Sequence, residues 1–196
     1  MKTILLTTIV AATLLCSCAV HRFRSEEEEM LIENKAALFI KENGDTVKCK
    51  SLTLPSDMNA HVQWINVDGK KIDSKGIVAV QDGKRFYAKF NSPVGDYWAR
   101  QIKRGKINLF CFDSKTANGY VTSFVIQKGN EPLGQVNIPG MAARLKDNKV
   151  AYEKFVSKFG DHERTFLPKD MNKHPKTVLE AVDIYNSGDV AYKATK

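Results

Sequence analysis

Residues 107–126 read INLFCFDSKTANGYVTSFVI, and apolar side chains fill the two ends of this stretch, 107–112 and 120–126. Alternate positions of an extended chain point to opposite faces, so Phe124 and Val125 lie on different faces of a strand. Strands that are apolar on both faces are normally covered on both sides. The two ends of the stretch are therefore predicted to be central strands of a β-sheet.

The chain before residue 107 contains three dipeptides that favour tight hairpin turns. Asn43-Gly44, Asp68-Gly69 and Asp82-Gly83 each separate short runs of apolar and β-branched residues. Such dipeptides accept the positive φ angles that two-residue hairpin turns require. Residues 85–90 also alternate polar and apolar side chains, as a half-buried strand does. Their spacing predicts a meander of short antiparallel strands.

Residues 96–104 interrupt this rhythm and predict a short helix or helical turn. Asp96 is a favourable N-cap residue, and Gly105 is a favourable residue just past a helix end. Three cations near the C-terminal end of the stretch suit the negative pole of a helix dipole.

The period of the apolar residues changes after residue 140. Residues 133–138 are the last candidate strand, and Pro139-Gly140 closes the β region. Farther on, Ala151, Phe155 and Phe159 recur every four residues, which indicates an amphipathic helix. A second helix is predicted from residues 177–180, whose sequence TVLE matches a capping box.

The predicted fold class is α+β: an antiparallel β meander, as a sandwich or a partly open barrel, followed by two C-terminal helices. The chain has 196 residues, of which 43% are hydrophobic and 27% are charged. This composition excludes a collagen, a coiled coil, a multi-span membrane protein and a wholly disordered chain. Its length suits one compact domain.

Residues 1–17 have the form of a secretory signal peptide. Lys2 supplies the positive start, and residues 4–15 form an uncharged, mainly apolar run. That run is too short to cross a bilayer, which takes about 20 apolar residues.

The end of this segment, Leu15-Cys16-Ser17-Cys18, resembles the lipobox of bacterial lipoproteins. The resemblance implies that residues 1–17 are removed and that Cys18 carries a diacylglyceryl group and a further acyl chain such as palmitate. Two or more acyl chains hold a protein stably on a membrane. Cys16 is the rival acceptor, but it would place Leu15 where that family has a small residue. An ordinary signal peptide with a soluble product is the alternative.

The stretch GKINLFCF at 105–112, together with the helical tail, is similar to uncharacterised Gram-negative envelope lipoproteins. This likeness implies attachment to the cell envelope through lipid, at the outer membrane of a Gram-negative bacterium. It implies no catalytic residues, and it leaves the periplasmic or outer-surface leaflet open.

Four segments follow from these observations. Residues 1–17 are the signal peptide, and residues 18–35 are the acylated cysteine and an acidic tether that contains Glu26 to Glu29. Residues 36–140 form the antiparallel β domain, and residues 141–196 form a helical C-terminal segment packed on it.

Basic residues concentrate in the middle of the chain. The formal charge is +8, and loss of Lys2 with the signal peptide leaves +7. Ten cations and only three acids lie between residues 70 and 106, an excess equal to all the remaining charge. This region would attract anionic phospholipid, lipopolysaccharide or an acidic protein, or would simply keep hairpin tips soluble. The candidate contact residues are Lys70, Lys71, Lys84, Arg85, Arg100, Lys103, Arg104 and Lys106.

Cys49 and Cys111 are the two cysteines outside the lipobox. The cell envelope permits a disulfide between them, which would stabilise the fold by roughly 4 kcal/mol. The alternative is two free thiols, because cysteine is also a common buried small hydrophobe.

Patterns typical of catalysis, metal binding or nucleic-acid binding are absent from the sequence. There is no HExxH, no G-x-S-x-G and no phosphate-binding glycine loop. Asp161-His162-Glu163 is the densest group of metal-ligand types, but adjacent side chains point apart. No catalytic residue, metal, cofactor or nucleic-acid partner is therefore predicted. Four aromatic residues would form either a carbohydrate-stacking face or part of the core: Tyr87, Tyr97, Trp98 and Tyr120.

The resulting hypothesis is a membrane-anchored envelope lipoprotein with a non-catalytic binding or structural role. Its partners would be the membrane, through the N-terminal lipid, and an envelope protein, glycan or anionic lipid headgroup. The alternatives are a small-ligand carrier with a β-barrel cavity and a hydrolase of envelope glycan or peptide.

Overall fold

The computed structural model describes residues 36–54, 63–83, 85–92, 95–116, 119–160, 171 and 173–193. The predicted signal peptide, Cys18 and the acidic tether lie outside these residues. So do Lys84, residues 161–163 and the side chain of Tyr120.

Eight strands form one antiparallel sheet, in which most sequence neighbours pair. In order across the sheet they are β11 (Gly134–Gln135), β10 (Gly119–Lys128), β9 (Ile107–Thr116), β8 (Gly95–Lys103), β7 (Phe86–Ser92), β6 (Ile77–Asp82), β1 (Ala37–Lys41) and β2 (Thr46–Cys49). The sheet does not close, because the two outermost strands, β2 and β11, have no pairing with each other in the described residues.

Three further strands leave the meander and form a small antiparallel sheet. They are β3 (Leu52–Thr53), β4 (Trp64–Val67) and β5 (Lys70–Asp73). The β4–β5 hairpin turns at Asp68-Gly69, where both residues have positive φ angles of 51° and 79°. This is the turn chemistry that the sequence predicts at that dipeptide.

Three described helices follow the strands: α1 (Ile138–Leu145), α2 (Lys149–Phe159) and α3 (Pro175–Lys193). The side chains of Asn137 and Asn148 cap α1 and α2 by accepting a backbone N–H. The α+β class with an antiparallel meander and C-terminal helices is confirmed. Helix α1 was not predicted from the sequence. Strand β11 covers only two of the residues that were expected to be extended, and Pro139 is well suited to the first turn of the helix that follows.

The predicted helix at residues 96–104 is wrong, because this segment is most of strand β8. Trp98 pairs with Lys89 of β7, and Ala99 lies in the core with no exposed surface. Strand β8 also pairs with β9, with an irregular register between Gln101 and Lys103. Hydrogen bonds to strands on both sides therefore outweigh the local capping preferences.

Helices cover one face of the sheet over strands β8 to β10. Leu109 and Phe124 of the sheet pack with Phe155 of α2 and Val182 of α3, and each is almost completely buried. Complete burial of an aliphatic or aromatic side chain of this size stabilises a fold by about 1.5–3 kcal/mol. This helix-side cluster is the largest part of the core.

The small sheet covers the other half of the same face. Directly paired residues of antiparallel strands lie on the same face of a sheet. From β9 to β6 the successive pairs are Cys111 with Arg100, Arg100 with Tyr87, and Tyr87 with Val80, so these four side chains share one face. Cys111 belongs to the helix-side cluster, whereas Val80 packs with Ile65 of the small sheet. The helices and the small sheet thus lie side by side on one face.

The opposite face has its own apolar cluster. Phe110, Phe112 and Val125 are buried there, together with Phe90 of β7. Since Leu109 and Cys111 are buried on the helix side, both faces of β9 are covered, as its sequence predicts.

Candidate functional site

The strand register gives the main sheet two distinct ends. Ala37 pairs with Asp82, so the start of β1 lies beside the β6–β7 turn, and the β8–β9 turn is at the same end. We call this the tether end, because the described chain begins there, at Ala36, directly after the segment that the sequence predicts to be a tether. The far end carries the β1–β2, β5–β6 and β7–β8 turns, since Lys41 pairs with Ile77.

Several of the predicted anionic-contact residues lie at the tether end. Arg104 and Lys106 are exposed in the β8–β9 turn, and Arg85 follows the β6–β7 turn. Lys70 is exposed just after the β4–β5 turn. That turn also lies at the tether end, because Oδ1 of Asp68 accepts hydrogen bonds of 2.8 Å from the backbone N–H groups after β2.

The remaining predicted contact residues are elsewhere or already engaged. Nη2 of Arg100 lies 3.9 Å from Sγ of Cys111, beneath the covered face. Nζ of Lys103 forms an ion pair of 2.8 Å with Asp183 of α3. Nζ of Lys71, on β5, lies 4.5 Å from the centre of the Trp64 ring. The basic run of the sequence is therefore not one surface.

An open cleft of about 700 Å³ lies at the far end, between the small sheet and strands β7 and β8. Polar side chains dominate its wall, and Trp64 contributes an indole ring. The charged residues that line it are Glu42, Asp73 and Asp96 with Lys71, Lys75 and Lys89, and the carboxamides are Gln63 and Asn91.

Hydrogen bonds fix part of the cleft wall. Nζ of Lys89 donates to the carbonyl of Ser74 at 2.7 Å, and the backbone N–H of Lys75 donates to Oδ1 of Asp73 at 2.8 Å. The first contact joins β7 of the main sheet to the β5–β6 turn. The cleft is therefore held by contacts between the two sheets, and its position depends on both.

The cleft offers equal numbers of carboxylates and ammonium groups, together with amide donors and acceptors. Such a wall suits a polar ligand of little net charge, which needs both donors and acceptors around it. Carboxylates grouped in one cleft are also the groups that glycoside hydrolysis requires. The geometry is thus compatible with binding and with hydrolysis.

Sequence reasoning did not identify Trp64 as a candidate ligand contact, although it considered four other aromatic residues. Of these, Tyr97 packs on Phe112 with ring centres 4.5 Å apart, and Tyr87 and Trp98 pack against the small-sheet cluster. These three side chains are structural. The sequence contains only a weak indication for Trp64, namely that it directly follows polar Gln63.

Cys49 and Cys111 are both free thiols. Four strands, β8, β7, β6 and β1, separate them in the sheet, and they belong to different apolar clusters. The disulfide alternative is therefore not realised in this fold. Burial raises the pKa of the Cys111 thiol to about 11, although the nearby guanidinium of Arg100 opposes this shift. A thiol with this pKa is a poor nucleophile near neutral pH.

Within the described part of the chain, no three His, Cys, Asp or Glu residues are placed to hold a metal ion. No described helix has the length and apolar character needed to span a bilayer. Comparison with protein-family models, with curated proteins and with solved structures finds no match to this chain.

Proposed function

We propose that this protein is a lipid-anchored lipoprotein of the bacterial cell envelope whose folded domain binds an envelope component without changing it chemically. The anchor is Cys18, on the strength of the lipobox-like sequence Leu15-Cys16-Ser17-Cys18. The ligand site is the far-end cleft. One observation supports the proposal: the cleft lies at the end of the sheet opposite the start of β1, which follows the predicted tether.

This arrangement suits a receptor or binding module on a membrane. A site that opens away from the anchor is accessible to ligands in the surrounding compartment. The balanced charges of the cleft favour a polar, nearly neutral ligand, and the Trp64 ring offers an apolar surface beside them. A glycan or peptide fragment of the envelope has this chemistry.

The small-ligand carrier is not favoured. That alternative depends on a barrel with an enclosed cavity, whereas β2 and β11 are separate edges of an open sheet in the described residues. The 700 Å³ cleft is open and polar, and it lies outside the main sheet's apolar clusters.

A hydrolase is the second candidate, because Glu42, Asp73 and Asp96 line the same cleft. General acid–base hydrolysis needs two carboxylates that flank the scissile bond. Binding leaves a ligand unchanged, whereas hydrolysis creates new chain ends in it, and one experiment separates the two.

The anchor is tested by replacing Cys18 with Ala in the cells that produce the protein. The wild-type protein is expected in the membrane pellet after fractionation, and the Cys18→Ala form in the soluble fraction. Cys16→Ala serves as the matched control and should leave the protein in the pellet. Pelleting of the Cys18→Ala form in high salt would contradict acylation at this position.

The cleft is tested by calorimetric titration with soluble peptidoglycan fragments. Trp64→Ala and Asp96→Asn are expected to weaken binding at least tenfold, while Lys48→Ala on strand β2 should bind as the wild type does. Unchanged fragments after incubation support a binding module, whereas new reducing ends or peptide termini would establish the hydrolase. Equal affinity in all three variants would show that the cleft is not the site.

A further inference from the structure

Exposed cations at the tether end come from turns that are distant in sequence. Lys50 follows β2, Lys70 follows the β4–β5 turn, and Arg104 and Lys106 form the β8–β9 turn. All four are exposed. Lys50, at the end of β2, and the β8–β9 turn are four to five strand spacings apart across the sheet, or about 20 Å. Because this distance exceeds the screening length of about 8 Å at physiological salt, each cation acts on a facing bilayer separately.

The acids near these turns are engaged by the fold. Oδ1 of Asp68 accepts two backbone N–H groups, and Oδ1 of Asp82 accepts the N–H of Arg85 at 2.8 Å. Asp183 pairs with Lys103, which is separate from the four exposed cations. The far end differs, because exposed Glu42, Asp45 and Asp73 lie there and offset the exposed Lys41, Lys71 and Lys75. The excess of exposed positive charge therefore lies at the tether end.

We infer that the tether end is a membrane-contact surface that binds anionic phospholipid headgroups, an inference that rests on the proposed lipid anchor. The tether alone does not impose this orientation, because the 17 residues between Cys18 and Ala36 can extend about 60 Å. The exposed cations select the orientation instead. Each cation near an anionic bilayer strengthens binding about fivefold, the equivalent of about 1 kcal/mol.

Contact of this kind determines where the cleft points. With Arg104 and Lys106 on the headgroups, the far end is raised by the length of the strands, about 20 Å for six residues. The cleft then faces the aqueous compartment. The lipid anchor supplies attachment, and the tether end supplies orientation.

The test uses the mature chain with Cys18→Ser, which cannot be acylated, so that electrostatic contact is measured without the anchor. Co-sedimentation is measured with vesicles of phosphatidylglycerol and phosphatidylcholine, and with vesicles of phosphatidylcholine alone. We expect binding only to the anionic vesicles, and we expect it to be lost when salt rises from about 0.05 to about 0.5 M.

Two charge reversals make a matched pair, because each lowers the net charge by the same amount. Arg104→Glu lies at the tether end and is expected to weaken vesicle binding about 30-fold. Lys41→Glu lies at the far end, beyond the screening length, and is expected to weaken it less than about threefold. Circular dichroism of both variants checks that the exposed substitutions leave the fold intact.

Equal weakening by the two reversals would overturn the inference, because it would show an effect of net charge rather than of one surface. Binding to phosphatidylcholine alone, or binding that ignores salt, would overturn it as well. None of these outcomes bears on acylation, which the fractionation of Cys18→Ala tests separately.

Discussion

At the scale of single residues, Asn186 joins the last helix to the sheet. Its Oδ1 accepts the backbone N–H of Ile107 at 2.8 Å, and its Nδ2 donates to the Ile107 carbonyl at 2.9 Å. The carboxamide therefore pairs with the start of β9 as a neighbouring strand would. Gly105 makes this approach possible, because a Cβ at that position would lie 2.4 Å from Cγ of Asn186.

Removing this side chain should destabilise the protein strongly. Asn186→Ala leaves the N–H and C=O of fully buried Ile107 without these partners, which should lower the free energy of unfolding by about 3 kcal/mol. Urea denaturation measures the change. Asn130→Ala, in the exposed β10–β11 turn, is the control and should change the stability little.

A double-mutant cycle tests the link to Gly105. Gly105→Ala should destabilise the wild type, because Asn186 must move, and should cost much less once residue 186 is Ala. Additive effects of the two substitutions would show that the close approach has no energetic consequence.

At the scale of secondary-structure elements, local chemistry predicted the turns better than it predicted β8. Asn-Gly and Asp-Gly dipeptides set backbone angles locally, so the hairpins are visible in the sequence. Residues 96–104 carry helix-capping residues, yet β7 and β9 provide backbone partners along both sides. Pairing with the strands before and after this segment cannot be read from a window of nine residues.

The turn between α1 and α2 is clamped to the sheet by a charged contact. Nζ of Lys128, at the end of β10, donates to both oxygens of Asp147 at 2.9 Å. The hydroxyl of Tyr185 in α3 donates to the same carboxylate at 2.8 Å. One carboxylate thus connects β10, α3 and the turn that precedes α2.

This clamp predicts a dependence of stability on pH. The hydrogen bond from Lys128 holds the pKa of Asp147 below its usual value of 3.8. A group with a lowered pKa in the folded state stabilises the protein above its unfolded pKa and loses that contribution as pH falls through the folded value. The wild type should therefore lose stability below about pH 4.

Asp147→Asn should be less stable than the wild type at neutral pH and should show a flatter decline in this acidic range. The difference should be modest, because the carboxylate is 60% exposed and water screens its charge. Urea denaturation at a series of pH values measures both curves. Glu153→Gln, on the exposed face of α2, is the control, and an identical decline in all three proteins would contradict the clamp.

At the scale of the whole molecule, the sequence predicted the class of fold but not where the candidate cleft and the exposed cations lie on it. Antiparallel strands reverse the chain at every turn, so residues 70–106 contribute to both ends of the sheet. Lys75 lines the far-end cleft and Arg104 is at the tether end, although both belong to one basic run. The number of cations in this run is known from the sequence, but their division between the two ends of the sheet is not.

The cleft could not be predicted for the same reason. Its wall combines Glu42 of the β1–β2 turn with Trp64, Asp73 and Asp96, which belong to strands of two different sheets. No local motif joins them, since the pairing of β1 with β6 brings Glu42 to this end. The lipid anchor, in contrast, is predicted from four consecutive residues, Leu15-Cys16-Ser17-Cys18.

The contact between Asn186 and Ile107 spans 79 positions, which has a consequence for the nascent chain. Hairpins β6–β7 and β9–β10 can form as soon as they are synthesised, because their partners are adjacent in sequence. Leu109 and Phe124 nevertheless remain uncovered until α3 is available to dock. An apolar part of the sheet therefore stays exposed while the chain from the end of β10 to the end of α3 is synthesised, and exposed apolar surface of this kind favours aggregation or capture by a holdase chaperone.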